Sequence, residues 1–257
     1  MNKKKNKTTL ENLPAEILFQ IHFYSLSTWF PYSSRHISSV FASTSSTYRA
    51  QFLFWLYPHK TLTNSIKHPI CTLSVVHELE RITKKKLRCP ELPKRLVKKL
   101  NEPMLNVAND TRVDLPLVEY LLDKYSASPD SKSGYFLARA VLGKHQPLID
   151  MLLGYGADPT LKESLAIVLA ISSGDLVLVK QLMEIDTSKD IETESGKRLL
   201  AGEGGSRKRR RISFDGQRLC PSDIMIETAA KKAHWNIVDY LRGKGAVPTI
   251  SVLSQML

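Results

Sequence analysis

Apolar residues recur at spacings of three and four along most of the chain, the signature of helices with one buried face. Leu13-Pro14 opens the first stretch, with proline early in a helix where its missing N–H costs nothing. Glu11 and Glu16 suit that positive helix end, and Ile17, Leu18, Ile21 and Leu26 follow as a stripe. A Ser- and Thr-rich stretch from Ser33 to Thr47 carries Ile37, Val40 and Phe41, and Tyr48, Phe52, Trp55 and Leu56 form a third stripe. Pro58 and Pro69 mark residues 58–70 as a connection. Beyond it Leu73, Val76, Leu79 and Ile82 recur every three residues, and Pro90 and Pro93 precede Leu96, Val97 and Leu100. The expected fold class is all-α.

From about residue 104 the pattern repeats. Ser126-Ala127-Ser128-Pro129, Gly156-Ala157-Asp158-Pro159 and Gly245-Ala246-Val247-Pro248 are three versions of one ending, the first two 30 residues apart. Apolar pairs precede each: Leu117-Val118 with Leu121-Leu122, Leu148-Ile149 with Leu152-Leu153, and Ile237-Val238 with Leu241. Leu178-Val179 with Leu182-Met183 fits without the ending. An earlier helix of each unit holds Leu137 and Ala140, Ile167 and Ala170, or Ile226 with Ala229-Ala230. Small alanines allow close helix pairs, glycine supplies a left-handed residue after the second helix, and proline ends it. One such pair cannot bury its own faces, so the pairs must stack.

These residues resemble ankyrin repeats. The best unit runs Ile226-Glu227-Thr228-Ala229-Ala230-Lys231-Lys232-Ala233-His234-Trp235-Asn236-Ile237-Val238, and Ser173-Gly174-Asp175 matches the family's glycine position. The family's Thr-Pro-Leu-His opening is absent; Glu163-Ser164-Leu165 and Pro221-Ser222-Asp223 stand near its place. The resemblance covers residues 104–184 and 220–257 and implies a helical solenoid of about four repeats, with His234 bonding its turn. Ile167 and Ile226 lie 59 residues apart, so either one repeat has degenerated or a segment is inserted. Residues 185–219 are poor in apolar side chains and contain Ala201-Gly202-Glu203-Gly204-Gly205-Ser206, and they read as a disordered insertion.

The first stripes resemble an F-box: Leu13-Pro14-Ala15-Glu16-Ile17-Leu18-Phe19-Gln20-Ile21 matches the family's opening Leu-Pro-x-Glu-Ile-Leu-x-x-Ile. The resemblance covers residues 10–57 and implies three helices that dock on the Skp-type adaptor of a cullin–RING ubiquitin ligase through Leu13, Pro14, Ile17, Leu18 and Ile21. Val40, Phe41 and Tyr48 match the later positions loosely, and the Ser-rich second helix departs from the family. On the residues alone, a degenerate F-box or a helical cap for the repeats fits as well, since repeat arrays need capped ends. The organisation is then a basic tail at 1–9, an F-box-like module at 10–57, a helical basic connector at 58–103 and ankyrin repeats at 104–257.

Charge refines this plan. The 257-residue chain carries a net charge of +12, but in blocks. Residues 81–100 hold nine bases against one acid, and residues 101–196 eight bases against fifteen acids. The bases of 81–100 form either a solvated face or a stripe for an anion or partner; they lack the interleaved aromatic residues of single-strand binders. An acidic centre repels phosphate, so nucleic acid is not the expected partner. It suggests instead a basic protein client on the concave repeat face.

Lys197-Arg198 and Arg207-Lys208-Arg209-Arg210-Arg211 resemble a nuclear localisation signal read by an importin, with a solvated charge run and a nucleic-acid tether as the other readings. Arg210-Arg211-Ile212-Ser213 resembles a basophilic kinase site, and phosphate on Ser213 would mask the arginines.

No run approaches the roughly 18 apolar residues of a membrane helix, and the N-terminus lacks a secretory pattern. Cys71, Cys89 and Cys220 offer neither a disulfide framework nor zinc spacing. The expectation is a protein of the nucleus or cytoplasm. There is no Gly-rich phosphate loop, HExxH or G-x-S-x-G; the seven histidines are dispersed, and Glu78 and Glu80 read as a solvated helix face. No catalytic residue, metal or cofactor is expected. The function expected is recruitment of a protein client to the ligase, the alternative a nuclear ankyrin scaffold or chaperone for a basic client with no ligase role.

Overall fold

The computed structural model describes residues 10–59, 61–83, 87–101, 112–184 and 221–248. Among them the regular elements are helices, with one isolated β-bridge between Glu91 and Ser128. The chain divides into two compact units, residues 1–96 with 114–128, and residues 97–113 with 129–257.

The first unit contains α1 (Ala15–Ser25), α2 (Arg35–Ala42), α3 (Ser46–Leu56), α4 (Thr61–Ser65), α5 (Leu73–Ile82) and α6 (Leu115–Lys124). The Ser-rich composition of α2 is no obstacle to packing. Ser34 caps it by accepting from the Ile37 N–H at 3.3 Å, Ser39 and Ser43 bond back to carbonyls one turn earlier, and Ile37 and Phe41 remain as a buried i, i+4 pair. These two enclose Leu18, with Phe19, Phe30, Val40 and Tyr48 packed around them. Helix α3 turns its other side to α5, burying Ala50, Phe52 and Leu53 in one unit with Val75, Val76 and Leu79. Residues 58–70 are more than a connection: Leu62 and Ile66, one helical turn apart on α4 and its continuation, are fully buried, and α4 packs on α3.

The second unit contains α7 (Ser131–Leu142), α8 (Gln146–Gly154), α9 (Leu161–Ser172), α10 (Leu176–Met183), α11 (Asp223–Lys231) and α12 (Trp235–Gly243). They form three pairs: α7 with α8, α9 with α10, and α11 with α12. Helix α9 packs on both α7 and α11, and α10 packs on α12. Gln181 on α10 donates to Asp150 on α8 at 2.7 Å, joining the second helices of adjacent pairs. Successive pairs therefore stack first helix on first and second on second. The stack continues directly from the α9–α10 pair to the α11–α12 pair, although residues 185–220 separate them in sequence.

The turns repeat in register. Lys144, Gly174 and Ala233 all have positive φ after the first helix of a pair, and Gly156 and Gly245 do so after the second. In each pair the residue that begins the second helix returns its N–H to an alanine carbonyl: His145 to Ala140, Asp175 to Ala170 and His234 to Ala229, at 3.0, 3.3 and 3.0 Å. One feature has no counterpart in the sequence pattern. The first turns of α7 and α9, at Lys132–Gly134 and Lys162–Ser164, are left-handed, and the right-handed helix begins only at Tyr135 and Leu165.

Candidate interaction surfaces

Helix α1 is apolar on two sides. Leu18 and His22, one turn apart, point into the first unit; Pro14, Ile17 and Tyr24 stand on the surface, with Leu13 and Ile21 half-buried. Ile17 is 39% and Tyr24 86% exposed. Within the described part of this unit Pro14, Ile17 and Tyr24 stay solvent-accessible, beside the exposed Glu16 and Gln20. Leu26, in a left-handed conformation, ends α1, and Trp29 beyond it is 80% exposed.

The five residues expected at the adaptor surface are thus divided. Pro14 and Ile17 are accessible and Leu13 and Ile21 partly so, but Leu18 is wholly inside the unit's own core. A substitution of Leu18 tests folding, not docking. Tyr24 escaped the sequence reading, although it stands two helical turns after Ile17 and so on the same face. Trp29 and Tyr32 also escaped it; the density of aromatics in Trp29-Phe30-Pro31-Tyr32 was the available signal. The basic run Lys197, Arg198, Arg207, Lys208, Arg209, Arg210 and Arg211, and Ser213 with it, lie outside the described residues.

Beneath the stripe is a polar centre. The His22 ring stacks on Phe52 at 4.0 Å and meets the Phe41 ring edge-on at 4.7 Å. Its Nδ1 pairs with the Tyr48 hydroxyl at 2.8 Å, which also reaches the Phe19 carbonyl at 3.2 Å. Burial, reinforced by nearby His68, pushes the His22 imidazole down to about 4. The Ser27 backbone, close to the ring, pulls the other way. Burial pushes the Tyr48 phenol up to about 12.

A second polar cluster joins α5 to α6. The Glu80 carboxylate accepts from the Tyr120 hydroxyl at 2.8 Å, from Lys124 Nζ at 2.6 Å and from the Tyr125 hydroxyl. Burial pushes this carboxyl up, but bonds from Lys124, Tyr125 and Tyr120 outweigh it and hold it below its usual range. Glu80 is therefore a fastening and not the solvated face its sequence position suggested; every group in the cluster is satisfied. Cys71 and Cys89 are buried, and their thiols are pushed up to about 12 and about 11, chiefly by that burial.

In the second unit the adjacent first helices α7, α9 and α11 carry Tyr135, Leu165 and Ile224 in register. Leu165 and Ile224 are exposed and Tyr135 half-buried. His234 makes no side-chain capping bond to its own turn; its ring lies over Gly174 instead. His145 is the histidine that caps, accepting the Leu148 N–H on Nδ1 at 3.2 Å.

The acidic surplus of residues 101–196 does not belong to these helix pairs. Residues 129–184 hold six acids and five bases; the rest of the surplus lies in 101–128 and 185–196. Among the described residues no three His, Cys, Asp or Glu side chains are grouped to hold a metal ion, and no helix is long and apolar enough to cross a membrane. Comparison of the chain with protein-family models, with curated proteins and with solved structures finds no match.

Proposed function

We propose that this chain is a non-enzymatic interaction protein of the F-box and ankyrin-repeat type, the subunit that brings a protein client to a cullin–RING ubiquitin ligase. The observation that carries the reading is the uncovered stripe of Pro14, Ile17 and Tyr24 on α1. An apolar helix face left in water by its own unit marks a contact surface, and it coincides with the opening motif through which an F-box meets its Skp-type adaptor. The helix pairs support an ankyrin-type stack, because their left-handed turn positions and alanine contacts recur in register. In that reading the client lies across the first helices, near Tyr135, Leu165 and Ile224. The near balance of charge over residues 129–184 favours an apolar contact over a purely electrostatic one.

The same balance weakens the alternative, a scaffold or chaperone that shields a basic client in the nucleus. Import through Lys197-Arg198 and Arg207–Arg211, and its masking by phosphate on Ser213, are compatible with both readings, in which the protein works in the nucleus, the cytoplasm or both.

The test is capture of a purified Skp-type adaptor by the full chain, beside Ile17→Asp and Tyr24→Ala. Both positions are exposed, so the variants are expected to fold and to lose adaptor binding at least about tenfold. Equal capture by the folded variants and the wild type would refute the adaptor reading and leave the scaffold.

A further inference from the structure

In the three helix pairs of the second unit the chain turns from first to second helix at Gly143–Lys144, Ser173–Gly174 and Lys232–Ala233. Gly134 lies against Leu161 where α7 and α9 begin, and Gly174 lies against His234 beyond the ends of α9 and α11. The first helices therefore run parallel, and the three turns share one edge of the stack. We propose that this edge is a docking surface for an extended, acidic segment of a partner protein, with apolar side chains set among its carboxylates.

Three observations carry this. First, the edge gathers bases. Lys144, Lys231 and Lys232 stand at the turns, and Lys98 and Lys99 join them because Leu100 lies against Gly143. Arg112 donates to the Gly143 carbonyl at 3.2 Å. Among the described residues Lys98, Lys99, Lys144 and Lys232 enter no ion pair, and Lys231 reaches Glu227 at 3.4 Å. Apart from Lys144, these bases lie outside the nearly balanced residues 129–184. Second, the carboxylate among them is already used: Asp175 caps α10 by accepting the Leu178 N–H at 3.0 Å. The opposite edge, where the first helices begin, is mixed, with Asp130, Asp158 and Glu163 beside Lys132 and Lys162. Third, large apolar side chains border the basic edge. Leu142 closes α7, Val177 lies in the first turn of α10 and Trp235 opens α12, at 55%, 77% and 39% exposure.

Charge selects the occupant. A second copy of this edge would set lysine against lysine. A strand of nucleic acid would satisfy the lysines, but Leu142 and Val177 have no π-face on which its bases could stack. An acidic peptide with apolar residues meets both needs. Surface ion pairs contribute little one by one; the apolar contacts supply the hold, and the lysines the orientation and the rate of encounter. Stacked helices lie about 10 Å apart, so about 20 Å separates Lys144 from Lys232, two pairs on. An extended chain covers that distance in about six residues. The surface is distinct from α1 and from the contact near Tyr135, Leu165 and Ile224, and it does not rest on the ligase reading.

The experiment is fluorescence anisotropy of a labelled polyglutamate peptide with two leucines six positions apart, titrated with the full chain. Saturable binding is expected, several-fold weaker in about 200 mM salt than in about 50 mM. The same peptide with lysines for glutamates should not bind. Lys144→Glu with Lys232→Glu should weaken binding at least about tenfold. Lys132→Glu with Lys162→Glu makes the same charge change at the opposite edge and should weaken it less than about twofold. Val177→Ser should weaken it about threefold through lost apolar contact. All five positions are exposed, so the variants are expected to fold, as circular dichroism would show. Val177→Ser keeps the test open if the charge variants fail to fold. Undiminished binding by the folded Lys144→Glu, Lys232→Glu protein, or by Val177→Ser, would overturn the proposal. So would equal losses from the two charge-reversed pairs, since net charge alone would then explain them. A single-stranded oligonucleotide that bound more tightly than the peptide, with the same loss on reversing Lys144 and Lys232, would overturn the acidic-peptide assignment in favour of nucleic acid.

Discussion

The two units use apolar residues in opposite ways. In the second, each second helix commits its apolar pairs to one side: Leu148, Ile149 and Leu152 on α8, Leu178, Val179 and Leu182 on α10, Ile237, Val238 and Leu241 on α12, all buried. The faces are matched to a neighbouring pair; the large apolar residues that stay exposed are spread over both kinds of helix, Leu142, Leu165 and Ile224 on first helices and Val177 and Trp235 on second helices. In the first unit α1 is apolar on two sides: Leu18 is inside, and Ile17 and Tyr24 stand outside beside the polar Glu16 and Gln20. A surface helix usually turns a single apolar stripe inward, and the outer apolar residues of α1 are the ones the proposed adaptor contact would use.

The sharpest test separates adjacent residues of α1. Leu18→Asp places a charge among Ile37 and Phe41 with no counter-ion and should cost about 4 kcal/mol or more. Loss of the first unit's cooperative thermal transition is expected. Ile17→Asp should change stability by less than about 0.5 kcal/mol. Similar losses from both substitutions would break the contrast between the two sides of α1.

The second unit has its own fragile contact. Gly174 has a φ of +74°, and a Cβ there would come within 2.8 Å of the His234 ring. Gly174→Ala combines a left-handed strain with a forced shift of that ring and should destabilise the repeat unit by about 2 kcal/mol. The first unit's transition should stay in place in calorimetry, as expected if the stack is self-contained.

Acid should act on the first unit before the second. The folded-state pKa of His22, about 4, lies below its value of 6.5 in the unfolded chain. The unfolded chain therefore takes the proton first. The stability held by the neutral ring is complete above pH 6.5 and declines as pH falls towards 4. By pH 5 the loss should reach about 2 kcal/mol. Thermal midpoints measured from neutral pH down to 5 should fall more steeply for the wild type than for His22→Gln. Parallel slopes would remove His22 from the account.

Much of this was legible in sequence, for definable reasons. The helix pairs follow from apolar pairs in phase with Ala140, Ala170 and Ala229, since that pattern has few ways to bury itself. The buried side of α1 was also written in spacing, but Ile17 and Leu18 are both apolar, and only the packing of Ile37 and Phe41 on Leu18 decides which of them meets solvent. Leu62 and Ile66 lay in too short a stretch, between two prolines, to stand out as core. His22 was one dispersed histidine among seven; its importance comes from Phe52, Tyr48 and His68, none of them near it in the chain. Glu80 likewise acquires its role from Tyr120 and Tyr125, some 40 residues on.

The finest test of the repeat register is a stabilising one. Lys144, Gly174 and Ala233 occupy one turn position, all with positive φ, yet only the middle one is glycine. A side chain in that region costs roughly 1 kcal/mol relative to glycine, partly offset by the entropy glycine loses on folding. Ala233 is exposed, so removing its methyl sacrifices little packing. Ala233→Gly should therefore raise the stability of the second unit by about 0.5 kcal/mol, opposite in sign to Gly174→Ala and visible as a shift of about one to two degrees. The pair of substitutions tests one backbone position in two copies. If both destabilise, the two turns do not share a conformation, and the register that unites α9–α10 with α11–α12 across residues 185–220 is lost with it.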